Sequence, residues 1–121
     1  MKRGKFLKSV SVALRGIRYI ISKERNIKIQ IFLGFMVIFV SILLKIPKIE
    51  FIIILFLSFF VIVLEIINTS VEKLIDKIHP NYDKDYGKIK DAFAGAVLLA
   101  VMLSIIIGAL ILFNPIISFF K

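Results

Sequence analysis

The segment that decides the fold reads LEIINTSVEKLIDKIHPNYDKDYGKIKD and runs from Leu64 to Asp91. Within it, five polar residues recur at helical spacing among apolar ones: Glu65, Asn68, Thr69, Glu72 and Asp76. At about 100° per residue, all five point within about 60° of the direction of Glu65. A rise of about 1.5 Å per residue makes this polar face roughly 16 Å long. The segment therefore predicts a helix with three carboxylates and an amide on one face.

The residues that precede this polar face show that it is not an ordinary solvated surface. Residues 51–64 read FIIILFLSFFVIVL and contain no charged side chain. A helix that continues them would hold Glu65 below the membrane surface. Ionisable groups at that depth are costly and usually face protein or trapped water. We therefore interpret the polar face as a functional site that leads from the membrane to the water.

The composition places the whole chain among integral membrane proteins. Its 121 residues allow one domain, and 60% of them are hydrophobic. The hydrophobic residues form continuous blocks, and the core of a soluble protein would not need such blocks. The absence of cysteine excludes disulfides and thiolate metal sites. The net charge of +9 comes from basic residues at the ends of apolar blocks, which favours an anionic membrane surface or an anionic ligand over nucleic acid.

Four helices are predicted from the hydrophobic pattern. Residues 1–26 have apolar side chains at steps of three and four and a basic opposite face, which predicts an amphipathic helix at the membrane interface. We expect no cleavage there, because no A-x-A-like site follows. Residues 27–46, 51–78 and 92–113 are predicted to form the helices that contain three transmembrane spans. His79 and Pro80 should end the second of these, and Asn114 and Pro115 the third. The predicted fold is all-α.

The distribution of basic residues predicts the orientation. Most of them precede the first span or lie around the loop between the second and third spans: Lys2, Arg3, Lys5, Lys8, Arg15, Arg18, Lys23, Arg25 and Lys28, then Lys73, Lys77, Lys84, Lys88 and Lys90. By the positive-inside rule, the N-terminus and the loop are cytoplasmic. The polar face should therefore open toward the cytoplasm.

The residue types at this cytoplasmic end suit phosphoryl transfer. Glu24 ends the amphipathic helix, and Lys90 and Asp91 precede the third span. Carboxylates without histidine or cysteine partners suit Mg²⁺, and lysines suit phosphate. Glu65, which lies deepest, would be the general base for a hydroxyl presented from the membrane. The chain has no Walker motif and no kinase glycine-rich loop, so any nucleotide must be held by other residues. A proton or cation transporter, or a membrane interaction protein, could use the same polar face.

Three motifs resemble the prokaryotic diacylglycerol kinase family, which includes the undecaprenol kinases of Gram-positive bacteria. They are EIINTSVEKLID (65–76), KIKDAFAGAV (88–97) and ERNIKIQ (24–30), and the resemblance extends to RGIR (15–18). The resemblance implies an ATP-dependent lipid kinase in the cytoplasmic membrane of a bacterium. It also implies a homotrimer whose active sites form between neighbouring subunits.

The resemblance also assigns roles to residues. It implies that Glu65 is the catalytic base and that Glu24 and Glu72 bind the metal of MgATP. Further active-site positions follow from the same motifs: Asn68, Lys90 on the phosphates, Asp91, Lys5 near the nucleotide, and Asn81, Tyr82 and Asp83 near the adenine. Arg18 either binds substrate or faces the leaflet. Asp76 either contacts substrate or forms a hydrogen bond near the helix end.

The acceptor lipid is the least determined feature. The stretches ERNIKIQ and AGAV are more similar to the Gram-positive branch, which favours undecaprenol. Diacylglycerol remains the alternative acceptor. The loop HPNYDKDYGK (79–88) matches neither branch closely, so its nucleotide contacts are the weakest of the residue assignments.

Overall fold

Four α-helices make up almost all of the structure, a computed structural model that describes residues 2–121. They are α1 (Lys2–Lys23), α2 (Arg25–Leu43), α3 (Lys48–Ile78) and α4 (Lys84–Phe120). Helix α3 packs against each of the other three, with its longest contact along α4. The residues of the predicted polar face therefore belong to the central helix.

Helices α2, α3 and α4 are long and apolar enough to cross a membrane. They contain 19, 31 and 37 residues, which correspond to about 28, 46 and 55 Å. A hydrocarbon core is about 30 Å thick, so α3 and α4 are longer than a span requires. The prediction of an all-α protein with three spans and a further N-terminal helix is confirmed.

The bounds of α4 differ from the predicted 92–113. The helix begins at Lys84, because Asp83 caps it: Asp83 Oδ1 accepts hydrogen bonds from the backbone N–H groups of Asp85 and Tyr86. The prediction that Pro115 ends it is also wrong, since the helix continues to Phe120. A proline removes only one backbone donor, and membrane helices tolerate it where neighbouring groups compensate.

The other helix ends lie within a few residues of the predicted ones. Helix α2 ends at Leu43 rather than at residue 46, because Lys45 adopts the left-handed conformation with φ 52°. This conformation is a common way to end a helix. Helix α3 ends at Ile78, with His79 as its C-cap, as predicted.

The interior is small, and most large apolar side chains lie on the outside. Among the described residues, the core comprises seven apolar side chains: Ile27, Ile54, Leu57, Val61, Ile75, Val97 and Ala100. By contrast, Phe32, Phe56 and Leu110 are exposed. An exposed apolar surface of this extent is stable in lipid rather than in water.

Serine hydroxyls within the spans find their acceptors inside their own helices. Ser41, Ser58 and Ser104 donate to the carbonyl oxygens of Val37, Ile54 and Ala100, at 2.8, 2.9 and 2.8 Å. Water is absent from the hydrocarbon core, so an internal acceptor removes the cost of burying a hydroxyl there. These serines need no functional role.

Candidate active site

The polar face of α3 changes from buried to exposed along the helix. Glu65, Asn68 and Thr69 are buried, with 6%, 7% and 1% of their surface exposed. Glu72 is half-buried, and the side chain of Asp76 is 60% exposed. The structure thus shows the predicted course from apolar interior to water.

Two buried groups on this face lack hydrogen-bond partners within residues 2–121. Asn68 Nδ2 donates to Glu72 Oε1 at 3.4 Å, but Asn68 Oδ1 and Thr69 Oγ1 are unpaired. A buried polar atom without a partner costs about 1–3 kcal/mol. Such atoms in a native protein call for a ligand, a water or another chain.

Glu24 and Gln30 bring further polar groups toward Glu65 from other helices. Glu24 is the single residue between α1 and α2 and the N-cap position of α2, although its side chain makes no capping hydrogen bond. Its carboxylate lies close enough to Glu65 to act on its charge, as does that of Glu72. The side-chain amide of Gln30 lies beside Glu65, and Gln30 Oε1 is buried without a partner in the described chain.

Lys90 connects α4 to the exposed end of the polar face. Lys90 Nζ donates to Asp76 Oδ1 at 2.8 Å in an ion pair between α4 and α3. Glu72 and Asp91 also lie close enough to act on the Lys90 charge. The three carboxylates and the ammonium therefore form one cluster where the two helices meet.

A cavity of about 550 Å³ lies beside this cluster, under the loop between α3 and α4. Its wall includes five residues with predicted nucleotide roles: Asn81, Tyr82, Asp83, Lys90 and Asp91. His79 and Tyr86 also line it, and their rings lie 5.2 Å apart. His79 Nδ1 and the Asn81 carbonyl oxygen are 2.8 Å apart, which fixes the ring against the loop. Aromatic faces beside lysines suit an aromatic anion such as a nucleotide.

A second cavity, of about 720 Å³, lies among the apolar parts of α2, α3 and α4. Its lining is almost entirely apolar and includes Leu33, Leu57, Val101 and Ile105. Gln30 belongs to this lining and also lies beside Glu65. This second cavity, called the apolar groove below, therefore reaches Gln30, the neighbour of Glu65.

Six predicted site residues line neither cavity: Lys5, Arg18, Glu24, Glu65, Asn68 and Glu72. Of these, Lys5 and Arg18 are exposed on α1. Neither forms an ion pair within the described part of the chain. Their predicted roles at the nucleotide and substrate remain predictions.

The oxygen donors fit Mg²⁺ together with phosphate better than Mg²⁺ alone. No group of three or more His, Cys, Asp or Glu side chains that could hold a metal occurs within residues 2–121. Mg²⁺ commonly takes one or two protein carboxylates and completes its shell with water and substrate phosphates. Glu24, Glu72 and the unpaired Asn68 Oδ1 are donors of this kind.

The prediction from sequence missed Gln30, His79 and Tyr86 as residues of the site. Gln30 carried a signal, since it is a lone amide within an apolar stretch. His79 is predicted from the sequence to end a helix with Pro80, not to line a cavity. Tyr86 carried no signal of its own, because its position follows from the path of the loop.

The fold and the site define a small helical membrane protein with a cluster of carboxylates and a lysine where its apolar spans meet water. Comparison with known proteins gives the family. The chain belongs to the prokaryotic diacylglycerol kinase family, whose family model matches residues 11–112. The family is one of lipid kinases, which sets the class of this protein and confirms the resemblance.

Three relatives illustrate the range of the family. A diacylglycerol kinase of Synechocystis is 34% identical over 113 residues, which are 93% of this chain and 65% of that protein. An undecaprenol kinase of Bacillus subtilis is 35% identical over 107 residues, or 88% of this chain and 87% of the relative. A diacylglycerol kinase of Escherichia coli is 32% identical over 54 residues, which are 45% of this chain and 44% of that protein. This chain thus spans about two thirds of the first relative and most of the second.

Proposed function

We propose that this protein transfers the γ-phosphoryl group of MgATP to the hydroxyl of a membrane lipid, with undecaprenol as the preferred acceptor. The observation that carries the proposal is the polar face of α3. The buried end of this face is Glu65, which lies near the apolar groove. The exposed end is Asp76, which pairs with Lys90 beside a cavity lined with lysines and aromatic rings.

In this proposal the two substrates reach the site from opposite ends. The nucleotide enters the cavity under the α3–α4 loop from the cytoplasm, and Lys90 contacts its phosphates. Glu24 and Glu72 hold Mg²⁺, which neutralises phosphate charge when bound. The lipid hydroxyl lies near Glu65 and Gln30, and the hydrocarbon chain occupies the apolar groove.

Glu65 then acts as general base. Its carboxylate accepts the hydroxyl proton while the lipid oxygen forms a bond to the γ-phosphorus and the bond to the bridging oxygen of ADP breaks. The proton leaves Glu65 for water after the products separate. The transfer is direct and forms no phosphorylated protein, so a trapped phosphoenzyme would contradict it.

The acceptor preference follows from the relatives and motifs together. The undecaprenol kinase aligns over most of both chains, and the stretch ERNIKIQ favours the same branch. Diacylglycerol is the second candidate, because the Synechocystis relative bears that name and aligns over 93% of this chain. The family match displaces the transporter interpretation.

The proposal includes an assembly and an orientation. A homotrimer with sites between subunits would give the unpaired atoms of Asn68, Thr69 and Gln30 a neighbouring chain to contact. The excess of lysine and arginine favours an orientation in which the N-terminus and the site lie on the cytoplasmic side of a bacterial membrane. Lys5 and Arg18 would then reach nucleotide or substrate only within that assembly.

The test is transfer of labelled γ-phosphate from MgATP by purified protein in mixed micelles, with undecaprenol and diacylglycerol offered in parallel. We expect faster labelling of undecaprenol. Faster labelling of diacylglycerol would overturn the acceptor and keep the kinase. Labelling of neither lipid, by protein that is folded and binds nucleotide, would require another lipid alcohol. Folded protein that binds no nucleotide would contradict the kinase itself.

A further inference from the structure

The ion pair between Asp76 and Lys90 is poorly explained as a stabilising contact. Lys90 Nζ and Asp76 Oδ1 are 2.8 Å apart, yet the side chains remain 34% and 60% exposed. Ion pairs that are open to water contribute little to folding stability. The helices α3 and α4 also form the most extensive helix–helix contact of the described chain.

The location of the pair indicates a different role. Asp76 and Lys90 both line the 550 Å³ cavity. Two further lysines, Lys84 and Lys88, share the wall but form no ion pair within residues 2–121. Lys90 is therefore the cavity lysine whose ammonium the described structure holds in place.

An ammonium held in this way can still bind an anion. It has three N–H donors, of which Asp76 Oδ1 accepts one. The remaining two can point to oxygens of a ligand in the cavity. A lysine side chain loses considerable rotamer freedom when it is ordered, and the ion pair restricts that freedom before the ligand arrives.

We propose that Asp76 is a positioning residue that orients the Lys90 ammonium toward the phosphates of the nucleotide. This inference rests on the proposed function, because it requires a polyphosphate in the cavity. Asp76 itself acts through Lys90 and makes no contact with the phosphates, whose charge it would repel. The sequence left two roles open for Asp76, and this proposal favours the hydrogen bond within the protein over a contact with substrate.

A double-mutant cycle on nucleotide binding tests the inference. Asp76→Asn, Lys90→Met and the double variant are compared with the wild type for affinity toward an ATP analogue that cannot be hydrolysed. We expect Asp76→Asn to weaken binding about threefold to tenfold when Lys90 is present and not to change it in the Lys90→Met background. The KM for the lipid should stay unchanged, and Asp76→Glu should restore most of the affinity.

Asp85→Asn is the matched control, because Asp85 is an exposed carboxylate of the same region that does not line the cavity. It should bind nucleotide like the wild type. The inference would be overturned if Asp76→Asn bound the ATP analogue with wild-type affinity. It would also be overturned if Asp76→Asn lowered the affinity by the same factor in the Lys90→Met background as in the wild type. Failure of the folded wild type to bind the analogue would instead overturn the proposed function.

Discussion

Asn68 donates its side-chain amide to Glu72 Oε1 at 3.4 Å, one turn along α3, while Asn68 Oδ1 is buried without a partner in the described chain. The amide thus orients the carboxylate and leaves its own oxygen available beside it. Two oxygen donors from neighbouring turns can face one small cation. This relationship supports the proposed role of Glu72 as a ligand of Mg²⁺.

Replacement of Glu72 should therefore change the metal requirement. We expect Glu72→Gln to raise the Mg²⁺ concentration for half-maximal activity at least about tenfold, because the neutral amide binds Mg²⁺ weakly. The measurement is lipid phosphorylation against free Mg²⁺ at fixed ATP. Glu50→Gln is the control, since Glu50 lies in the first turn of the same helix, at its other end. An unchanged Mg²⁺ dependence in Glu72→Gln would remove Glu72 from the metal site.

Glu65 is expected to affect the chemical step. Glu65→Gln keeps the size and the hydrogen-bonding capacity of a buried side chain but cannot accept the proton, so kcat should fall about 100-fold to 10,000-fold. The affinity for ATP should remain, because Glu65 does not line the 550 Å³ cavity. Circular dichroism and size-exclusion chromatography in detergent would verify the fold. A variant with substantial activity would exclude Glu65 as the base.

Asp83 offers a way to separate a structural role from a nucleotide contact. Its side chain caps α4, so Asp83→Ala should lower the free energy of unfolding by about 1 kcal/mol, whereas Asp83→Asn should keep the cap. Thermal unfolding in detergent gives the comparison. If Asp83 also contacts the nucleotide, Asp83→Asn will raise the KM for ATP without a loss of stability. Equal stability of the Ala and Asn variants would contradict the capping role.

The polar face of α3 could be predicted from sequence because few carboxylates occur in the chain and three share a helical period. The apolar run before Glu65 also fixed the direction from membrane to water. The start of α4 was missed because Asp83 was considered as a ligand rather than as a cap. The pairing of Asp76 with Lys90 could not be foreseen, since it depends on how the loop returns α4 against α3.

The apolar groove yields a prediction about the lipid alone. Gly108 lines the groove, and a Cβ atom there would meet no heavy atom within 4 Å. The Cβ atom that Gly108→Leu adds therefore meets no clash, and the larger side chain would take volume in the groove from a bound hydrocarbon tail. We expect kcat/KM for undecaprenol to fall about tenfold or more. A tenfold fall corresponds to the loss of about 1.4 kcal/mol of free energy. The KM for ATP should stay constant, because the nucleotide cavity is lined by other residues.

Leu110→Phe adds bulk to an exposed position of the same helix outside the groove and should behave like the wild type. If Gly108→Leu leaves lipid kinetics intact while Leu110→Phe impairs them, the hydrocarbon chain runs along the outer face of α4 instead.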